Sequence, residues 1–211
     1  SGIFNYGFIP IPVILVLFDS REALGVLLVH NMGVELAIWT CGIILLAGRL
    51  ERSSLKRLLN PPLIALVVAL AVNFAGLDSR MPVWLDRFVE MLAACSIPLG
   101  ILLAGANIAD LIHQQGRANP IRVPAGAVAV RLGILPVLML AGAAWMPGLS
   151  TELRQVLVVQ AAMPAGIMPI VLARHYGGEA GVGVQVVLAT TLCSVVTMPL
   201  WIHLGLTLVF G

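Results

Sequence analysis

The sequence is poor in charge. Only 10% of its 211 residues are Asp, Glu, Lys or Arg, against 60% hydrophobic, and its mean hydropathy is +1.03. A water-soluble domain carries roughly 25% charged residues, so this chain lacks the polar surface needed to stay in water. An integral membrane protein is expected. The net charge is only +2 and the basic residues are dispersed, which argues against a nucleic-acid partner. Cys41, Cys95 and Cys193 each lie within an apolar run and share no short spacing of the kind zinc sites or disulfide scaffolds use. There is no H-E-x-x-H, no pair of aspartates on a span and no serine nucleophile motif with a histidine partner, so nothing supports an intramembrane enzyme. Neither a cofactor nor a metal is expected. Lys56 is the sole lysine and falls in a loop, so no retinal Schiff base can form. Ser1 is followed by no charge before Asp19, so no signal-peptide n-region is recognisable, and no Gly/Ser linker or charged tail divides the chain.

What is present is a series of long apolar runs. Crossing hydrocarbon of ~30 Å takes a helix of about 20 residues, because unpaired backbone polar groups are costly there. Seven runs qualify: residues 1–18, 23–48, 61–77, 91–109, 122–146, 151–173 and 183–208, the fourth preceded by an amphipathic stretch from Pro82 to Glu90. Alternate loops differ in their basic residues. Arg49, Arg52, Lys56, Arg57, Arg117, Arg122 and Arg174 fall on one side, while Arg21, Arg80, Arg87 and Arg154 fall on the other. The richer side is expected to be cytoplasmic. That places loop 49–60 inside the cell and the C-terminus outside, in an inner or plasma membrane. Trp39, Trp84, Trp145, Trp201 and His203 lie near span ends and are expected at the interfaces.

Two spans carry unusual punctuation: Asn5-Tyr-Gly-Phe-Ile-Pro-Ile-Pro12 in the first and Met163-Pro-Ala-Gly-Ile-Met-Pro169 in the sixth. Each holds two prolines and a glycine near mid-membrane, where proline removes a backbone donor and clashes with the preceding turn. Both helices are expected to be broken, and such breaks are tolerated at membrane depth only where they line a cavity or contact protein. Superposing Pro12 on Pro169 aligns Leu15 with Leu172, Glu22 with Glu179, Ala23 with Ala180 and Val29 with Val186. This is a weak internal repeat with an offset of 157 residues. Five crossings separate the two breaks, so the repeats are inverted, as in many secondary transporters with a midplane substrate site. Extending the offset back from Asn60-Pro-Pro62 puts the opening of the first repeat well before Ser1. A complete fold would then be a 5+5 helix inverted repeat, of which about seven helices are present here.

These segments resemble the auxin efflux carrier family, which includes the plant PIN-FORMED exporters and bacterial permeases proposed to carry malonate or malate. Val159-Gln-Ala-Ala-Met-Pro-Ala-Gly-Ile-Met-Pro-Ile-Val-Leu-Ala-Arg-His-Tyr176 is similar to the family's second crossover helix. Asn5 with Pro12 resembles the first crossover, Asn60-Pro61 the opening of the sixth helix, and Cys95-Ser-Ile-Pro-Leu-Gly100 a motif of the seventh. The resemblance implies a scaffold (61–109) and a moving transport bundle (1–48 and 122–211, with crossovers 1–18 and 151–173) working as an elevator. Plant members carry Gln where this chain has Ala165, which favours a bacterial-type small carboxylate over auxin.

On this basis the substrate is expected near the breaks, among Asn5, Gly7, Pro10, Pro12, Gln160, Pro164, Gly166, Met168 and Pro169. Half-helix N-termini and exposed amides would attract its carboxylate. Asn5 and Gln160 would add hydrogen bonds or, equally, join helices. Gly7 and Gly166 would permit close backbone approach. Intramembrane ionisable groups are functional candidates by default, so Glu35 and His30 are candidates for coupling a proton or sodium ion. For Glu35 a structural hydrogen bond is an equal alternative. Arg131 would face the anion path or pair with Glu35. A homodimer is the remaining partner expectation besides substrate and bilayer. The rival classes are a receptor or transporter-derived sensor and a non-transporting remnant.

Overall fold

The computed structural model describes residues 3–7, 9–42, 61–77, 81–113, 122–176 and 179–211. Loop 49–60, with Asn60 and four of the topology-setting basic residues, lies outside the described residues, as do Arg80 and Arg117. The described chain is helical: α1 Pro10–Phe18, α2 Arg21–Gly42, α3 Pro61–Phe74, α4 Val83–His113, α5 Arg122–Trp145, α6 Thr151–Ala162, α7 Met168–Tyr176 and α8 Ala180–Phe210. Among them α2, α5 and α8 are long and apolar enough to cross a membrane unbroken. The first and sixth expected spans instead appear as short pieces, α1 in one case and α6 with α7 in the other.

Local sequence sets these boundaries. Pro10 opens α1, where a missing N–H costs nothing, and α1 ends at Asp19, which takes a left-handed φ of 45° and donates its N–H to Leu15 O. Ser20 then accepts from Ala23 N at 3.1 Å and caps α2. Pro61 and Pro62 open α3, which closes on Gly76 at φ 63° with the paired Leu77 N–Val72 O and Gly76 N–Asn73 O bonds of a glycine C-cap. Arg154, expected only at a span edge, donates to the carbonyls of Ala143, Ala144 and Met146 and caps the end of α5.

Two compact units emerge, one from residues 1–27 with 103–211 and the other from residues 28–102. In the first, α6 is the central rod. Its second half is buried on every side, with Val156, Val158, Val159, Gln160, Ala161 and Ala162 packed against α1, α5 and α8. Small residues permit this. A Cβ on Gly205 of α8 would stand 2.8 Å from both Leu140 Cδ2 and Val158 Cγ1, so the three helices close directly over that glycine. The far side of α8 is apolar and exposed among the described residues. Leu192, Val196, Leu200, Leu204 and Leu208 recur at helical spacing with exposures of 53% to 72%. In water that stripe would drive aggregation, while hydrocarbon accepts it. In the second unit Ile64, Val67, Val68 and Phe74 of α3 are exposed in the same way.

The middle of α5 departs from α-geometry. A π-helical turn spans Val130–Ile134 and turns Arg131 and Leu132 inward. Pro136 lacks the N–H that would have bonded Leu132 O four residues back, and Trp201 Nε1 donates to that oxygen at 2.7 Å. Trp201 is half-buried; it packs against the core clusters around α6 and donates to the carbonyl that Pro136 cannot pair. Trp201→Phe keeps the ring but leaves that acceptor unpaired, at a cost of about 1–3 kcal/mol. Thermal unfolding in detergent should fall by several degrees for Trp201→Phe and stay put for Trp145→Phe, whose ring is 79% exposed.

Candidate functional site

The two punctuated segments meet. Residues 3–7 are non-helical, and so are residues 163–167 between α6 and α7. They cross antiparallel at Phe4 and Ala165, tied by Asn5 N to Pro164 O at 2.9 Å and by Gly166 N to Ile3 O at 3.0 Å. Met163 precedes a proline and accordingly takes an extended backbone, φ −73° and ψ 140°, which stops α6. Of the four prolines expected to break helices, only Pro164 ends one. Pro10 and Pro12 lie in the first turn of α1 and Pro169 in that of α7, where proline's fixed φ starts a helix.

Gly166 is where close approach is required. A Cβ there would sit 2.6 Å from Phe4 O and 3.0 Å from Phe4 C, whereas a Cβ on Gly7 meets nothing within 4 Å. Side chains supply donors to further carbonyls at the crossing. Pro164 has no N–H for Gln160 O, which accepts instead from Met163 N at 3.3 Å and from the Arg131 guanidinium at 3.0 Å, while Arg131 Nε donates to Met163 O at 2.8 Å. Pro10 would likewise have no N–H for Tyr6 O, which accepts from Gln160 Nε2 at 3.4 Å. Thr190 Oγ1 accepts from Ala165 N at 3.2 Å. The Arg131 guanidinium lies over the Phe4 ring, 4.7 Å from its centre, and Phe4 meets Tyr6 edge to face.

The expected site residues therefore fall into groups. Gln160, Pro164 and Gly166 are buried in the crossing, Pro10 is buried at the start of α1, and Asn5, Gly7, Pro12, Met168 and Pro169 are half-buried around it. The Asn5 side chain makes no hydrogen bond among the described residues. Arg131, 1% exposed, is built into the crossing itself. His30 and Glu35 are half-buried on the part of α2 that belongs to the other unit. Sequence reasoning passed over Phe4 and Thr190. Proline spacing marks which carbonyls lose a donor, but nothing in the sequence says which distant side chain replaces it. Beside the crossing a cleft of about 380 Å³ opens, walled by α5, α7 and α8 through Val130, Ala165, Pro169, Gly183 and Val187 among others, with no charged side chain in its lining. Among the described residues no group of His, Cys, Asp and Glu is placed to hold a metal.

Residues 50–202 match the family described as "Membrane transport protein". The chain belongs to this membrane transport protein family. The family is one of transporters, not of enzymes. Among curated proteins, an "Uncharacterized transporter" of Methanothermobacter thermautotrophicus is 25% identical over 206 residues, which is 95% of this chain and 65% of that protein. A "Probable auxin efflux carrier component 3b" of Oryza sativa subsp. japonica is 28% identical over 130 residues, 62% of this chain and 20% of that protein. The chain thus spans under two thirds of the length of either relative. No solved structure matches it. The auxin-efflux-carrier resemblance read from Asn5, Pro12 and the Val159–Tyr176 stretch agrees with both the family and its relatives.

Gly166→Ala forces a methyl group against backbone and should cost at least the ~1–3 kcal/mol of ordinary overpacking, while Gly7→Ala should stay within about 0.5 kcal/mol. Unfolding of the two variants side by side in detergent checks the contrast.

Proposed function

We propose that this membrane transporter carries a small organic carboxylate, bound at the crossing of residues 3–7 and 163–167. The observation that carries the reading is the crossing itself. Two non-helical segments are held antiparallel inside an apolar helical unit, and each is followed at once by a new helix, α1 at Pro10 and α7 at Met168. A helix N-terminus holds about half a positive charge, and two of them opening beside one crossing favour an anion. Paired discontinuous helices with a substrate between them are the hallmark of inverted-repeat carriers. The offset of 157 makes Tyr6 the counterpart of Met163, and each of those carbonyls is bonded by a side chain.

In this reading residues 1–48 and 122–211 form the moving bundle and residues 61–109 the scaffold of a 5+5 fold, working by an elevator-like cycle; the compact unit of residues 1–27 and 103–211 holds most of that bundle. Asn5 contributes an amide whose hydrogen-bonding capacity is unspent among the described residues, and Gln160 helps hold the first segment in place. The adjoining cleft has apolar walls, so a molecule with one carboxylate and a compact apolar body suits it better than a dicarboxylate such as malonate or malate.

The test is flux of radiolabelled malonate, malate and indole-3-acetate into proteoliposomes holding the full-length protein. Carboxylate uptake that falls about tenfold or more in Asn5→Ala, as expected for loss of a hydrogen bond to a charged group, supports the reading. Absence of flux for every carboxylate would move the protein to a sensor or remnant built on a transporter fold. Glu35 is the proposed proton carrier on α2. Glu35→Gln should leave counterflow exchange at constant pH intact but remove the stimulation of uptake by an imposed pH gradient, and unchanged stimulation would dismiss it.

A further inference from the structure

Arg131 is the buried cation of the crossing. Its side chain is 1% exposed, and its polar contacts are the carbonyls of Gln160 and Met163, with the Phe4 ring beneath the guanidinium. Among the described residues no carboxylate accompanies it. An unpaired buried charge is expensive, so a residue of this kind in a membrane segment calls for an account of what it balances.

The two carbonyls belong to the last turn of α6. A helix C-terminus carries about half a negative charge, concentrated on carbonyls that lack partners. Left bare, the end of α6 would offset the positive ends of α1 and α7 and would invite a cation as readily as an anion. The guanidinium occupies those carbonyls and brings a full positive charge. The carbonyl behind Pro10, Tyr6 O, accepts from the neutral amide of Gln160, which adds no charge.

We infer that Arg131 is the specificity-determining residue for charge sign. It cancels the negative end of α6 and leaves the crossing positive, so that an organic anion, and no cation, completes the local balance. Arg131 need not touch the substrate. It acts through the α6 carbonyls and through the register of the crossing, which makes it a positioning residue as well. This inference rests on the carrier reading above.

Two substitutions separate its charge from its hydrogen bonds. Arg131→Lys keeps the charge but loses the fork that reaches two carbonyls, and Arg131→Gln keeps N–H donors but loses the charge. The full-length protein and both variants are compared in proteoliposomes for uptake of indole-3-acetate and malonate. Amide hydrogen exchange over residues 3–7 and 163–167 reports on the crossing in the same samples. The expected result is a KM raised at least about tenfold in Arg131→Gln, with a much smaller change in maximal rate. Arg131→Lys should hold KM within a few-fold of the parent. Wild-type KM in Arg131→Gln with protection retained would overturn the inference while leaving the carrier reading intact. Equal loss of protection and flux in both variants would also overturn it, by assigning Arg131 to holding the fold alone. No flux in the parent protein would instead remove the carrier reading, and the role in selectivity with it.

Discussion

Every carbonyl buried in this apolar unit needs a donor from within the protein, and the rest of the structure follows from that requirement. Hydrocarbon supplies no water to pair with backbone groups, so a proline in or beside a helix leaves a debt four residues back. Three such debts are met by side chains from elsewhere in the fold. Trp201 meets that of Pro136, Arg131 shares that of Pro164 with Met163 N, and Gln160 donates to the carbonyl of Tyr6 behind Pro10. The replacement donors are a tryptophan, an arginine and a glutamine on three different helices. They explain why these large polar groups lie inside the helical unit of a chain with few of them.

The same requirement shapes the crossing. Extended backbone is tolerable at depth because residues 3–7 and 163–167 bond each other, Thr190 takes the amide of Ala165, and Gly166 lets one backbone lie against the other. The crossing and the helix packing around it are interdependent. Small residues draw α5, α6 and α8 together over Gly205, and that closeness lets the π-helical turn of α5 deliver Arg131 to the end of α6. A local irregularity in one helix thereby serves an interruption in another. π-Helical turns are often found where function is concentrated, and this one is aimed at the only antiparallel bridge among the described residues.

The distribution of apolar surface connects this interior to its surroundings. α8 is buried along one side against α5, α6 and α7 and presents leucine and valine along the other. The transporter family to which the chain belongs accounts for such a surface, since hydrocarbon or further helices would face it. Charge is correspondingly rare in the interior: among the described residues the one buried guanidinium, that of Arg131, is matched to carbonyl dipoles.

Much of this was legible in the sequence. Composition alone placed the chain in a membrane, because hydropathy sums over residues without regard to their arrangement. The long helices α2, α5 and α8 were visible as apolar runs, and the interruption after Ala162 was announced by Pro164, whose effect on its neighbours is local and obligatory. The family too could be read from short motifs such as Val159–Tyr176. Only the tertiary structure decided what the punctuation is for. Sequence could not show that Pro10, Pro12 and Pro169 open helices, that Gly166 is crowded while a Cβ on Gly7 would meet nothing, or that Trp201 and Arg131 donate to carbonyls that lie four residues before a proline. Backbone requirements are written within a few residues of their cause. The groups that answer them come from 29 to 154 residues away and are chosen by packing, which no local pattern encodes.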